Sequence, residues 1–188
     1  MPLPLRVDGR TAFDRNKEEF VYIPDQTLIL EHCLLSIARW ESKWKKSFIT
    51  SFNGKNKQIP LVEIFSYFQC MVMNDDFDEN FIYCLTREQQ EEIFKYMSSE
   101  QTATIITHEE NTKPRSNEIL TSELIYYYMS QVPLPFELCE RWHFSRLMKT
   151  LEIAGIKSQP EKKMSSRAWG SKQAALNKIR RAKMGSLG

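Results

Sequence analysis

The chain has 188 residues, of which 41% are hydrophobic and 12% aromatic, and its 26 basic and 24 acidic side chains leave a formal net charge of +2. This apolar content is too high for a disordered protein, and the length is enough for one domain with a buried core plus an appendage. The small net charge conceals two parts of opposite sign. Residues 157–188 contain nine Lys or Arg and one acid, a net of +8, whereas residues 1–156 carry −6.

The first 24 residues are interpreted as an N-terminal arm that lies on a helical body, residues 25–156. The arm contains three prolines and two short apolar runs, at 3–7 and 20–23, which we predict as edge strands.

After Asp25, the body begins with a segment that fits two structures. Apolar residues recur at helical intervals as far as Trp44, which favours a helix with Asp25 as its cap. Leucines also alternate with other residues over 27–35, so a strand remains open for this first half.

Four further helices are predicted from proline and capping residues, which mark helix starts. The β-branched run 102–107 is instead predicted as a strand. The fold class is therefore mainly α, a compact helical domain with a few short strands. The predicted helices are 61–73 after Pro60, a helix capped by Thr86 that runs to about Ser99, one capped by Ser116 or Asn117 that runs to Ser130, and 136–154 with Gly155 as its stop.

Residues 157–188 are predicted as a basic C-terminal extension, with a linker around Pro160 and a helix at about 169–183. That helix has few apolar residues to bury and would be marginal alone, so we expect it to need a partner or its own body. Nucleic acid is the less favoured partner, because the acidic body repels phosphate and one tryptophan is too few for a stacking platform. The predicted partner-binding residues are Lys162, Lys163, Arg167, Trp169, Lys172, Lys178, Arg180, Arg181 and Lys183.

Trp40 and Trp44 lie four residues apart between basic side chains and are two further candidates for partner binding. Exposed on one helical face, they would anchor a partner protein, since tryptophan is a frequent hot-spot residue. The pattern favours the alternative, in which both rings cover the core and lysine stems wrap them.

No catalytic, cofactor-binding or metal-binding residue is predicted, and we expect a protein that is not an enzyme. The sequence has no glycine-rich phosphate loop, G-x-S-x-G or H-E-x-x-H motif. Cys139 and His143 are four residues apart, but no second chelating pair lies near them, so they and the adjacent His32 and Cys33 are interpreted as core groups. The acidic stretch 74–80 lacks the glycine and the bidentate glutamate of a calcium loop.

The four cysteines are widely spaced without a C-x-x-C pair, which indicates reduced, buried thiols. The N-terminus shows no signal-peptide pattern, and no apolar run approaches the ~18 residues of a membrane span. We therefore expect a soluble protein that is not exported.

Several blocks of the sequence occur in a familiar order. They are LEHCLLS at 30–36, WESKW at 40–44, SELIYYY at 122–128, PFE at 135–137, WHFSRL at 142–147, PEKKM at 160–164 and LNKIRRAKMG at 176–185. Over roughly residues 27–185, this order resembles the tail assembly chaperones encoded in the tail-gene modules of long-tailed bacteriophages.

The resemblance implies a non-enzymatic protein that binds the tape-measure or tail-tube protein before polymerisation, in the host cytoplasm. One alternative is a structural virion component, a tail, baseplate or connector subunit whose arm and basic extension lace neighbouring subunits together. A further alternative is a nucleic-acid-binding accessory protein. A homo-oligomer is compatible with these roles, and no membrane partner is expected.

Overall fold

The structure, a computed structural model, describes residues 1–14, 18–53, 59–104, 106 and 118–158. The chain divides into two compact units, Met1–Ile153 and Ala154–Gly188. The second unit is described only over residues 154–158, which are helical. Both buried cores of the described residues belong to the first unit.

Helices predominate, with short antiparallel strands at the N-terminus. The predicted fold class, mainly α with a few short strands, is therefore confirmed. The strands are β1 (Leu3–Val7), β2 (Arg10–Asp14), β3 (Glu19–Ile23) and β4 (Gln26–Leu30). The α-helices of the described residues are α1 (Leu34–Trp44), α2 (Phe48–Asn53), α3 (Leu61–Met71), α4 (Arg87–Met97), α5 (Ser122–Ser130), α6 (Phe136–Cys139) and α7 (Phe144–Ser158). A 3₁₀ helix, Glu79–Tyr83, lies between α3 and α4.

The four strands form one long β-hairpin built from two ladders. β1 pairs antiparallel with β4, and β2 pairs antiparallel with β3. Two residues separate the ladders on each side of the hairpin, so the register of the first ladder continues unchanged into the second. The strands predicted at 3–7 and 20–23 are confirmed, the second being one residue longer, and β2 was not predicted.

Between the two ladders, Gly9 passes very close to the opposite side of the hairpin. Its N–H donates to Asp25 Oδ1 at 2.6 Å. A Cβ at position 9 would lie 2.4 Å from the carbonyl oxygen of Ile23 and 2.6 Å from the amide nitrogen of Asp25. Backbone atoms cannot turn aside as the end of a side chain can, so this crossing requires glycine.

The first half of the helix predicted after the arm is strand β4, and only its second half is helical, as α1. Tertiary contacts explain why residues 26–30 form a strand, because β4 is hydrogen-bonded on both edges. On the edge away from β1, Glu31 N donates to Met71 O and Met73 N donates to Ile29 O, each at 2.9 Å. Two backbone partners decide the structure of a segment whose own pattern is ambiguous.

The strand predicted at 102–107 is wrong for the residues described there. Positions 102–104 and 106 have no regular structure, and the other two lie outside the described residues. The β-branched composition favours a strand, but no described strand pairs with these residues.

The predicted helix 136–154 is in fact two helices, α6 and α7, separated by a turn. Within that break, His143 forms an antiparallel bridge with Cys33, which requires extended backbone and so interrupts the helix. Gly155, predicted as the stop, lies inside α7.

Threonine side chains cap α4 and α5. Thr86 Oγ1 accepts from Gln89 N at 3.2 Å, and the Gln89 side chain accepts from Thr86 N, so the predicted cap of α4 is confirmed as a capping box. For α5 the cap is Thr121, whose Oγ1 accepts from Leu124 N. The caps predicted for this helix, Ser116 and Asn117, lie outside the described residues. The predicted start is wrong, because residues 118–121 are described and are not helical.

Two clusters of buried side chains hold the first unit together. The larger joins the base of the hairpin to α1, α3, the 3₁₀ helix and α4. The smaller joins α1 to α5, α6 and α7, so α1 contributes to both. The smaller cluster is built on Leu34, Ile125, Met129, Cys139 and Leu147.

Glu41 of α1 connects the starts of α2 and α5. It is only 5% exposed, and both its oxygens accept hydrogen bonds. Oε1 accepts from Phe48 N at 2.8 Å, while Oε2 accepts from Ser122 N at 2.7 Å and Ser122 Oγ at 2.5 Å. Amides in a first helical turn lack partners within the helix, so one buried carboxylate stabilises two helix starts.

Replacing Gly9 with alanine should lower the free energy of unfolding by about 1–3 kcal/mol, because the new Cβ would overlap backbone atoms of the opposite strand. Urea denaturation followed by circular dichroism measures this change. Gly155→Ala is the matched control, since a Cβ there meets no atom within 4 Å and alanine is the better helix former. A Gly9→Ala protein as stable as wild type would contradict the close approach.

Candidate functional site

The tip of the hairpin, β2 and β3, carries three exposed aromatic side chains. Phe13 is 51% exposed, Phe20 75% and Tyr22 68%. The rings of Phe13 and Phe20 are in edge-to-face contact, with centroids 5.2 Å apart. We refer to Phe13, Phe20 and Tyr22 as the aromatic face.

Strand pairing places these three side chains on one side of the hairpin. Phe13 is opposite Phe20, and Tyr22 is opposite Thr11, whereas the intervening pair, Ala12 and Val21, points the other way. Ala12 packs against the larger core. One side of the tip therefore faces the body, and the other presents aromatic rings to solvent.

The aromatic face was not predicted from the sequence. A signal existed, because Phe20 and Tyr22 are two residues apart within a predicted strand and so had to share a side. Phe13 gave no such signal, since β2 contains only two apolar residues, Ala12 and Phe13, and they are adjacent.

Of the predicted tryptophan pair, Trp40 is fully buried and Trp44 is half-buried. Trp40 Nε1 donates to Glu63 O at 3.0 Å, and Trp44 Nε1 donates to Ser66 Oγ at 3.1 Å. Lys46 Nζ lies 5.6 and 5.7 Å from the two ring centroids and 2.6 Å from Glu63 Oε2. Trp40 is thus a core residue and not an exposed anchor, which confirms the alternative of core rings wrapped by a lysine.

The predicted basic partner-binding residues, from Lys162 to Lys183 together with Trp169, lie outside the described residues. Their role therefore stays a prediction. Lys157, where the basic extension begins, is described and lies in the last turn of α7.

The predicted core role of the histidines and their neighbouring cysteines is confirmed. His32, Cys33, Cys139 and His143 are all buried. The rings of His32 and His143 are in edge-to-face contact, with centroids 5.3 Å apart. Pairing of the chain at Cys33 and His143 brings these distant segments together.

His32 is a strongly perturbed titratable group in this cluster. Its Nδ1 is hydrogen-bonded to Tyr67 Oη at 2.5 Å. Burial, with a smaller contribution from the neighbouring His143, lowers the pKa of His32 to about 3. Burial also raises the pKa of the Tyr67 phenol well above its usual value, so both partners are neutral at neutral pH.

His143 is held on both ring nitrogens. Nε2 donates to the carbonyl of Tyr96 at 3.2 Å, and Nδ1 lies 2.9 Å from Ser145 Oγ and accepts from Ser145 N. Burial lowers the pKa of His143. Nearby, Tyr96 Oη donates to Glu31 Oε1 at 2.5 Å, and burial raises the pKa of that carboxyl. The cluster is hydrogen-bonded internally, which gives it a structural role.

An open groove of about 700 Å³ lies beside Glu41, between the α1–α2 connection and the start of α5. Its polar lining includes Lys45, Lys46, Ser47 and Thr121. The Glu41 carboxylate and the Ser47 hydroxyl already have hydrogen-bond partners. The described lining pairs no nucleophile with a base, so no catalytic role is assigned to the groove.

Exposed apolar side chains also occur on α5 and α6. Tyr127 is 59% exposed and Leu138 is 65% exposed, values similar to those of the aromatic face. They lie on helices whose other sides are buried.

Two further observations concern ligands and membranes. Within the described ranges, no three His, Cys, Asp or Glu residues are grouped so that they could hold a metal ion. None of the described helices is long and apolar enough to cross a bilayer.

The chain matches no protein-family model, no curated protein sequence and no solved structure. The resemblance to phage tail assembly chaperones therefore stays a prediction from the sequence.

Acid should destabilise the body through His32. Folding holds its pKa at about 3, against about 6.5 for an ordinary histidine, so the unfolded chain binds the extra proton first. The stability from neutral His32 is complete above about pH 6.5 and is lost as the pH falls towards about 3. Linkage predicts a loss of roughly 2 kcal/mol in the free energy of unfolding between about pH 7 and about pH 5.

Urea denaturation at a series of pH values measures this loss. His143 acts in the same direction, whereas the raised pKa of Glu31 opposes it. His32→Gln is the control: we expect it to be less stable at neutral pH but to show a shallower pH dependence. A variant with the wild-type pH dependence would exclude His32 as the responsible group.

Proposed function

We propose that this chain is a phage tail-morphogenesis protein that acts by binding another protein, as an assembly chaperone for the tape-measure or tail-tube protein. The proposed protein binding rests on the aromatic face. The resemblance of the sequence supports the assignment to phage tails.

Three large, exposed rings on one side of a β-ribbon suit a protein partner. Aromatic side chains bury much area at little conformational cost and are frequent at binding hot spots. Phe13, Phe20 and Tyr22 are each more than half exposed, so a partner would bury most of the area that they now present to water.

The basic extension supplies a second contact of a different kind. Its net charge of +8 suits an acidic partner surface, and it contrasts with the −6 of residues 1–156. We propose that the predicted basic residues, from Lys162 to Lys183, orient the partner while the aromatic face supplies apolar contact.

A structural virion component is the second candidate, and the long hairpin favours it. A β-ribbon whose base is packed in the core and whose tip has one solvent-exposed side resembles the arms by which neighbouring subunits can interlock. The two candidates differ in location, since a chaperone acts in the host cytoplasm and leaves, whereas a subunit stays in the particle.

Co-purification with the tape-measure and tail-tube proteins of the same phage tests the proposal. Changing Phe13, Phe20 and Tyr22 together to serine, or removing residues 157–188, should each reduce capture at least about tenfold and leave the fold intact. Serine at Tyr127 and Leu138 is the matched control, because these side chains are similarly exposed but lie outside the aromatic face.

Undiminished capture by both the triple variant and the truncated chain would refute protein binding through these elements. Mass spectrometry of purified virions then separates the two candidates. A chaperone should be absent from the particles, and a structural subunit should be present in stoichiometric amount.

A further inference from the structure

The aromatic face carries no charge. Strand pairing places Thr11 on the same side of the tip as the three rings, and none of these four side chains is ionised. The neighbouring charged residues Arg10 and Glu19 alternate to the other side of their strands. A charged group placed against the aromatic face would lose its water without gaining an opposite charge, so the surface that covers it has to be apolar.

The size of the aromatic face limits what can cover it. Its rings are 51%, 68% and 75% exposed and present about 400 Å² to solvent, since a Phe or Tyr side chain contributes roughly 200 Å² when fully exposed. A specific interface buries about 800 Å² on each partner, so two aromatic faces packed together would bury only about half of what a stable dimer needs. The face therefore suits one short element of another protein better than a second copy of this chain.

Backbone hydrogen bonding favours a helix over a strand as that element. Strands pair through their edges, whereas the rings project from the face of the ribbon. An extended segment lying over the rings would therefore bury N–H and C=O groups without partners. A helix satisfies these groups internally and can be buried along one side without this cost.

The spacing of the rings also suits a helix. Phe20 and Tyr22 are two residues apart on β3, which corresponds to about 6.8 Å along a strand. Residues four apart on a helix are separated by roughly 6 Å along its axis. Successive apolar side chains of one helical side can therefore contact successive rings.

Helices already pack against the base of the same hairpin. Leu5 of β1 and Leu28 of β4 are paired, and both are buried in the larger core, which includes side chains of α1, α3 and α4. At the tip, one side of the ribbon packs on this core and the other is the exposed aromatic face. A helix on that face would bury the tip as the body's helices bury the base.

We propose that the aromatic face binds an amphipathic helix of the partner protein. About two turns of that helix would lie against Phe13, Phe20 and Tyr22, with large apolar residues three and four positions apart and no charge on the contact side. This inference rests on the proposed role of the aromatic face in protein binding. It does not require the partner to be a tail protein.

Two synthetic peptides of about 18 residues and identical composition test the proposal. One places its leucines on one side of a helix, and the other alternates leucine with polar residues, as in a strand. Fluorescence anisotropy of the labelled peptides against the full chain should show that the helical peptide binds at least about tenfold more tightly than the alternating one. Circular dichroism should show a gain of helix on binding.

Changing Phe13, Phe20 and Tyr22 together to serine should weaken binding of the helical peptide about tenfold or more. Serine at Tyr127 and Leu138 is the matched control and should leave it unchanged, because these side chains are similarly exposed on α5 and α6. Circular dichroism of each variant without peptide checks that it is folded.

The proposal is overturned if the helical peptide does not bind, if the alternating peptide binds equally well, or if the triple variant binds as tightly as wild type. It is also overturned if sedimentation velocity of the chain alone shows a dimer that the triple variant abolishes, because a second copy would then occupy the face. Peptide binding without capture of tail proteins would refute the proposed function alone, and capture without preference for the helical peptide would refute this inference alone.

Discussion

Residues 30–33, where β4 ends and α1 begins, are hydrogen-bonded to nearly every layer of the body. The carboxylate of Glu31 accepts from α4, and the ring of His32 is bonded to α3. The carbonyl of His32 accepts from the first amide of α7 at 2.7 Å. Because a buried polar group without a partner costs about 1–3 kcal/mol, these elements have to pack together or leave several groups unsatisfied.

This dependence explains why the buried polar side chains of the described residues are paired. Among the described residues, no buried side-chain nitrogen or oxygen lacks a hydrogen-bond partner. The charged Glu41 follows the same rule, since its oxygens meet the first amides of two helices. Polar contacts therefore specify how the helices are arranged, and the two apolar clusters supply most of the favourable free energy.

The features that the sequence predicts correctly are those with a local cause. The capping box at Thr86, the helix after Pro60 and the apolar strand of the arm each depend on neighbouring residues. The features that the sequence left open or predicted wrongly have distant causes. Residues 27–35 fitted a helix or a strand, and β4 is a strand because it pairs with β1 and with residues after α3. The helix predicted over 136–154 breaks because His143 pairs with Cys33.

The candidate site was harder to predict than the fold. The aromatic face depends on the register between β2 and β3. That register cannot be predicted from the residues of either strand alone. For the tryptophan pair the sequence favoured a core role over exposure, and the indole of Trp40 is enclosed and bonded to a backbone carbonyl. Composition indicates which residues can bind a partner, and tertiary pairing decides which are exposed.

The shared register of the two ladders constrains how the arm can change in evolution. Side chains alternate along a strand, so one residue inserted between the ladders on a single side would turn that strand of the tip over. Phe20 and Tyr22 would then point at the body, and Val21 would point at solvent. Insertions and deletions at the base of the arm are therefore tolerated only in even, matched numbers, whereas point substitutions on the exposed side remain free to vary with the partner.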